Sequence, residues 1–93
     1  MLKYRHLFFL NLLLLISVVG CSSIEKAESL YNTGDKEAAL EMSISLLEDE
    51  NAAIRIRAIK LISKIGGDKG GAALLGHLQD PNDKAQREII VTL

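Results

Sequence analysis

Few residues in this chain could carry chemistry, and the cysteine at position 21 stands out among them. It is the only cysteine, so no internal disulfide can form. His77 has no cysteine or second histidine near it, which argues against a metal ligand. There is no activated serine or cysteine, no histidine pair and no carboxylate pair in apolar surroundings. The sequence therefore predicts no catalytic residue, no metal site and no cofactor site.

Cys21 ends a stretch that begins with Lys3 and Arg5 and continues as an apolar run from Leu7 to Val19. A basic start, a short apolar middle and a small residue at the exit are typical of a secretory signal. At about 1.5 Å per residue, a helix over this run would be roughly 20 Å long, which is shorter than the roughly 30 Å hydrocarbon core of a bilayer. The alternatives are an uncleaved anchor, or ordinary signal-peptidase cleavage with the cysteine as a bystander.

Val18, Val19, Gly20 and Cys21 resemble the lipobox of bacterial lipoprotein signal peptides. The resemblance implies cleavage between Gly20 and Cys21 and a thioether from Cys21 to diacylglycerol, which consumes the thiol. Two or three acyl chains would hold the protein to a membrane much more firmly than one chain. An Asp after the cysteine would imply retention at the inner membrane, so Ser22 favours the periplasmic face of the outer membrane if the source has two membranes.

Removal of this leader, residues 1–20, would leave one small domain, residues 21–93. The domain carries 12 Asp and Glu against nine Lys and Arg, because two of the 11 basic residues lie in the leader. The acidic balance argues against nucleic acid as a partner, since nucleic acid is bound through Lys and Arg. Tyr31 is the only aromatic residue left, so the core must be built from Leu, Ile and Ala, which favours helices over a sheet.

A helical hairpin is predicted at the start of this domain, over residues 24–48. Apolar residues recur at helical spacing up to Tyr31, and the next four residues have the composition of a turn. Asp35 is expected to cap the second helix. The segment 27–40 resembles the middle of a tetratricopeptide repeat, with a Gly-Asp turn between two helices, but it lacks the early Trp and Gly and the closing Pro of that family.

The rest of the chain contains an internal repeat with a shift of 31 residues. The segment from Leu47 to Asn51 superposes on the segment from Leu78 to Asn82, and the same shift pairs apolar residues on either side. These pairs are Ile44 with Leu75, Ile54 with Ala85, Ile59 with Ile90, and Ile62 with Leu93. Two copies of one helix pair are the simplest explanation.

Both copies resemble the short HEAT-like repeats first associated with phycobilin lyases. The first copy, 36–65, has the Asp-containing turn, Ile54 and Arg55 of that pattern, whereas the second, 70–93, has Gln86 in place of the Arg. The resemblance implies an all-α helical-repeat fold, an α-solenoid of about five short helices after the N-terminal signal helix. Because such arrays usually contain three or more repeats, we expect that the array continues beyond position 93, or that its apolar end meets a partner or another copy.

The predicted helix from Asn51 to Ile65 has one apolar and one basic face. Five residues form an apolar stripe about 100° wide: Ile54, Ala58, Leu61, Ile62 and Ile65. Three basic residues share a neighbouring face: Arg57, Lys60 and Lys64. We interpret this face as solvated surface, and a strip for an anionic partner or lipid headgroup is the alternative. Arg55, at the edge of the stripe, is expected to bond turn carbonyls or Asp49.

Two local signals concern the junctions between the later helices. Four glycines surround Asp68 and Lys69: Gly66, Gly67, Gly70 and Gly71. This segment is predicted to end one helix and turn into the next, because the strand and the Lys-Ser/Thr pair of a phosphate-binding P-loop are missing. Pro81 is predicted in the first turn of the last helix, with Asp80 as the cap.

These patterns predict a membrane-anchored lipoprotein whose helical repeats bind or scaffold another protein of the cell envelope. The alternative is a small assembly chaperone of the pilotin type, which escorts an envelope secretion component. This alternative rests on the small size of the domain and on its apolar C-terminal helix. A third hypothesis, an enzyme, rests only on analogy with repeat-type lyases.

Overall fold

Five α-helices make up residues 23–93, the part of the chain that the computed structural model describes, and no strand occurs among these residues. The helices are α1 (Ser23–Asn32), α2 (Lys36–Leu46), α3 (Ala52–Ile65), α4 (Asp68–Leu75) and α5 (Asp83–Thr92). The predicted all-α helical-repeat fold is confirmed. The proposed division of the chain into a leader and a domain stays a prediction.

The helices stack so that α3 lies at the centre. The 31-residue shift relates α2 to α4 and α3 to α5, which defines a first helix pair (α2 and α3) and a second helix pair (α4 and α5). Helix α1 packs against α2 and α3, and both helices of the second pair pack on α3. Helix α3 is therefore covered by neighbours on two sides.

Short polar side chains cap the N-termini of three helices. Asp35 accepts a hydrogen bond from the amide of Ala38 at 3.3 Å, which confirms its predicted role as the cap of α2. The preceding turn passes through Gly34 at a φ of 96°, a conformation that favours glycine. The amide oxygen of Asn51 accepts from the amide of Ala53 at 2.9 Å at the start of α3.

The core lies around α3 and is wider than the sequence predicted. Ala58, Leu61 and Ile62 are buried as expected, and Ile54 and Ile65 are partly buried at the margin. Ile59 lies outside the predicted stripe, yet only 1% of its surface is exposed. A stripe 100° wide is typical of a helix that is covered on one side, whereas the second helix pair also covers α3.

The sequence suggested a turn over the whole glycine-rich segment, but only its first two glycines lie between helices. Gly66 and Gly67 do separate α3 from α4, with φ values of 73° and 88°, but Gly70 and Gly71 lie inside α4. Gly70 is buried, and a Cβ atom there would lie 2.9 Å from Cγ2 of Ile62. The missing side chain at Gly70 therefore allows α4 to approach α3 closely.

The start of the last helix also differs from the prediction. Pro81 precedes the helix rather than lying in its first turn, and Asn82 is the cap. The amide oxygen of Asn82 accepts from the amides of Lys84 at 3.0 Å and Ala85 at 3.1 Å. Asp80 does not cap this helix, because its carboxylate is bonded elsewhere.

Candidate protein-binding surface

A partly buried ion pair joins the two helix pairs. Nε of Arg55 donates to Oδ2 of Asp80 at 2.9 Å, and Nη2 donates to Oδ1 at 3.2 Å. The remaining guanidinium nitrogen, Nη1, donates to two backbone carbonyls, that of Asp49 at 2.8 Å and that of Glu50 at 3.1 Å. The expected bonds to turn carbonyls are confirmed. The sequence reasoning missed the ion pair with Asp80, which links α3 to the segment before α5.

The ion pair shifts the pKa values of both partners in the directions that favour their charged forms. Burial raises the pKa of Asp80, but the hydrogen bonds from Arg55 and from the amide of Asn82 outweigh it, so this pKa lies below its ordinary value. The hydrogen bond to Asp80 raises the pKa of Arg55. Both groups are therefore charged at neutral pH, and the junction between the helix pairs is held by a full ion pair.

Gln86 takes over part of the role of Arg55 in the second pair. Its Nε2 donates to the carbonyl of Asp80 at 2.6 Å, just as Nη1 of Arg55 donates to the carbonyl of Asp49. The shift of 31 residues relates both the donors and the acceptors. The shared function of this position is thus the bond to the turn carbonyl, which an amide and a guanidinium can both make.

A groove of about 300 Å³ lies beside this junction. It is lined by the ion pair and by exposed or partly buried polar residues, among them Glu48, Asp49, His77 and Gln79. Nε2 of His77 lies 3.3 Å from Oε1 of Glu48. Within residues 23–93, no group of three or more His, Cys, Asp or Glu side chains has the arrangement of a metal site.

A second groove, of about 310 Å³, lies between α1 and α3. The three predicted basic residues Arg57, Lys60 and Lys64 line it, together with Tyr31 and Asn32. Arg57 is paired with Glu28 across the groove. This pairing neutralises one of the three cations, which favours the interpretation of the basic face as solvated surface.

The most prominent apolar surface lies at the C-terminal end of the stack. Among residues 23–93, the large apolar side chains that are exposed all belong to α4, α5 or the residues directly after them. We call these five the end face: Leu75, Leu78, Ile90, Val91 and Leu93. Their exposure runs from 37% for Leu78 to 83% for Val91.

Repeat equivalence shows why the end face is apolar. Leu78, Ile90 and Leu93 correspond to Leu47, Ile59 and Ile62 of the first pair, which are 3%, 1% and 1% exposed. In the first pair this face is covered by the second pair, as the closeness of Gly70 to Ile62 shows. These three residues of the end face thus occupy positions that are buried against neighbouring helices in the first pair, whereas Leu75 corresponds to the partly buried Ile44 and Val91 to the exposed Lys60.

Comparison with protein families agrees with this architecture. Residues 24–93, well over half of the chain, match the family model of HEAT repeats. The chain belongs to the HEAT repeat family. No significant match is found among curated proteins or among solved structures. HEAT repeats are a non-catalytic scaffold type that commonly mediates contacts between proteins, so the coarse function is that of a helical-repeat scaffold or protein-binding domain.

The predicted lipidation and cleavage residues, Cys21 and Gly20, lie outside the described residues, and their roles stay predictions. No helix within residues 23–93 is both long enough and apolar enough to cross a membrane. The pairing of Asp80 with Arg55 was missed from the sequence, although the repeat equivalence of Asp80 to Asp49 could have indicated a role in the turn.

Proposed function

We propose that this protein is a lipid-anchored HEAT-repeat scaffold that binds another protein in the cell envelope. The single observation that supports protein binding best is the match of residues 24–93 to HEAT repeats, which commonly mediate contacts between proteins. The exposed apolar side chains of α4 and α5 offer residues that a partner could contact. The signal-like leader and the lipobox resemblance support the anchor. The proposed location is the cell envelope, with the periplasmic face of the outer membrane favoured in a cell with two membranes.

The anchor is tested by labelling cells with radioactive palmitate and comparing the wild type with Cys21→Ala and Ser22→Ala. We expect label in the wild type and in Ser22→Ala, because the labelled acyl chains are attached through Cys21, and no label in Cys21→Ala. Equal labelling of Cys21→Ala would contradict the anchor, whatever the fate of the protein-binding proposal.

Protein binding at the end face is tested by placing a photoreactive amino acid at position 90 of the full chain in its native cells. We expect a crosslinked product, because Ile90 is 61% exposed and belongs to the end face. The same photoreactive residue at Lys26, which is exposed on α1 at the other end, is the control. Absence of any product from position 90 would contradict a partner on this face.

The alternative is a pilotin-type chaperone for an envelope secretion component. It is favoured by the exposed apolar residues of α5, which could hold an apolar segment of a client during assembly. In that case crosslinking from position 90 should yield one dominant secretin-like partner. A diffuse set of products, or none, would count against it.

A further inference from the structure

The groove between α1 and α3, which we call the basic groove, differs in charge from the domain that carries it. Residues 21–93 contain nine Lys and Arg against 12 Asp and Glu, so the domain is acidic as a whole. The lining of the basic groove holds three basic side chains, Arg57, Lys60 and Lys64, and one acidic side chain, Glu28. The groove therefore carries an excess of positive charge on an acidic domain.

One of the three cations is paired and the other two are not. Nε of Arg57 donates to Oε2 of Glu28 at 3.4 Å, and Nη2 donates to Oε1 of the same carboxylate. Lys60 and Lys64 are exposed and take part in no ion pair within residues 23–93. Water solvates both ammonium groups in the free chain, so a carboxylate that binds them displaces water and breaks no ion pair.

We infer that the basic groove binds an acidic segment of the partner protein. This inference rests on the proposed protein-binding function and specifies the chemistry of the partner. Lys60 and Lys64 are four residues apart, which places them about 6 Å apart along α3. Alternate side chains of an extended segment point the same way at a spacing of about 6.6 Å. A segment with Asp or Glu at alternate positions therefore matches the two lysines.

The other lining residues fit a polypeptide better than a membrane surface. Asn32 is exposed, and its side-chain amide can both donate to and accept from a peptide backbone. Tyr31 is partly exposed and offers an aromatic ring beside the cations. A narrow chain segment can enter a groove of about 310 Å³ between two helices, whereas an anionic membrane surface would also repel the acidic domain as a whole.

The test places a photoreactive amino acid at position 32 of the full chain in its native cells and identifies the crosslinked product by mass spectrometry. We expect a protein that is joined through a segment with Asp or Glu at alternate positions. Lys60→Glu and Lys64→Glu should each reduce this product at least fivefold, because each replaces an attraction by a repulsion. Lys84→Glu makes the same change of net charge at an exposed position on α5 outside the groove, and it should leave the product unchanged.

A synthetic peptide with the sequence of the crosslinked segment then measures the contribution of charge. We expect the peptide to bind the purified full chain at least tenfold more tightly than a version with Gln and Asn in place of Glu and Asp. Rising salt should weaken its binding, because salt screens exposed charges. Equal affinities of the two peptides would overturn the inference, and so would a product that both lysine reversals leave unchanged. Circular dichroism shows whether each variant of the chain is folded.

The crosslinking positions separate this inference from the proposed function. A protein that is joined to position 32 through a segment without acidic residues overturns the inference but leaves the protein-binding function intact. A product from position 90 without one from position 32 has the same consequence. A lipid joined to position 32 overturns the inference in favour of an anionic headgroup, and no product from either position overturns both proposals.

Discussion

The first and second helix pairs share their local structure but differ in burial. The amide of Asn51 donates to Oδ1 of Asp49 at 2.8 Å, and the amide of Asn82 donates to Oδ1 of Asp80 at 2.9 Å. Each Asn then caps the helix that follows it. Yet Ile59 is 1% exposed, whereas its equivalent Ile90 is 61% exposed.

The difference shows which properties of a repeat are local. Turn and cap depend on a few neighbouring residues, so both copies reproduce them. Burial depends on the next helix pair along the stack, so the two copies diverge even where the residue types agree. An apolar residue in a repeat thus marks a surface that can accept a helix, and its burial depends on residues outside its own repeat.

The strongest test of the comparison is to truncate the equivalent isoleucines. We expect Ile59→Ala to lower the free energy of unfolding by about 2–5 kcal/mol, because it leaves a cavity in the core. Ile90→Ala should lower it by about 0.5 kcal/mol or less in dilute protein, because that side chain is largely exposed. Urea denaturation of the full chain followed by circular dichroism measures both. Equal losses would show that the end face is covered within a single chain.

The two glycines of α4 give a smaller contrast. Gly70→Ala should destabilise the protein by about 1–2 kcal/mol, because the strain from the new Cβ against Ile62 exceeds the gain of about 1 kcal/mol from the better helix former. A Cβ atom at position 71 would meet no atom within 4 Å, so Gly71→Ala should stabilise the protein by about 0.5–1 kcal/mol. Thermal unfolding of both variants measures the difference. Two stabilised variants would mean that α4 can move away from α3.

The helix caps should respond alike in both copies. Asn51→Ala and Asn82→Ala should each cost about 1 kcal/mol, because each removes the acceptor for the first amides of a helix. Asn32→Ala, at the exposed end of α1, is the matched control and should change stability by less than about 0.5 kcal/mol. Denaturation curves provide the values. A loss in only one copy would contradict the local origin of the shared turn.

The smallest expected effect is the dependence of stability on pH through Asp80. The pKa of Asp80 is lower in the folded chain than its ordinary value of 3.8, so its ion pair stabilises the fold above about pH 4. This contribution is lost as the pH falls through the lowered pKa, and solvent screening limits it to about 1 kcal/mol or less. Stability measured from pH 6 to pH 2 should therefore decline less steeply for Asp80→Asn than for the wild type.

Glu41→Gln, which removes an exposed carboxylate paired with Lys69, is the control for the loss of a surface charge. Its stability should decline with falling pH as steeply as that of the wild type. A variant Asp80→Asn with an unchanged acid profile would show that the Arg55 ion pair does not contribute to acid stability.

The sequence predicted those parts of the fold that depend on short segments. The turn before Asp35, its capping role and the extent of α3 could be read from residues close together in the chain. Pro81 misled the prediction, because proline is compatible with the first helical turn while Asn82, one residue later, offers the better capping acceptor.

The candidate site was less accessible to prediction, because it depends on contacts between distant segments. Arg55 and Asp80 are 25 residues apart, and either could have paired with other charges nearby. The apolar C-terminal sequence did indicate an uncovered end. Periodicity alone could not show that Ile59 is buried and Ile90 exposed, since it describes one helix and not its neighbours.

The packing of each helix on its near neighbours in the chain also bears on how the protein folds. The main helix contacts within residues 23–93 all join helices that are adjacent in sequence or separated by one other helix. Such contacts require only short loops to close, which makes folding fast. Helices α1 to α3 can therefore form a packed unit while α4 and α5 are still being synthesised, and the last pair then docks on a finished surface. The exposed apolar residues of α4 and α5 therefore emerge only after the helices on which this pair packs have formed a folded core.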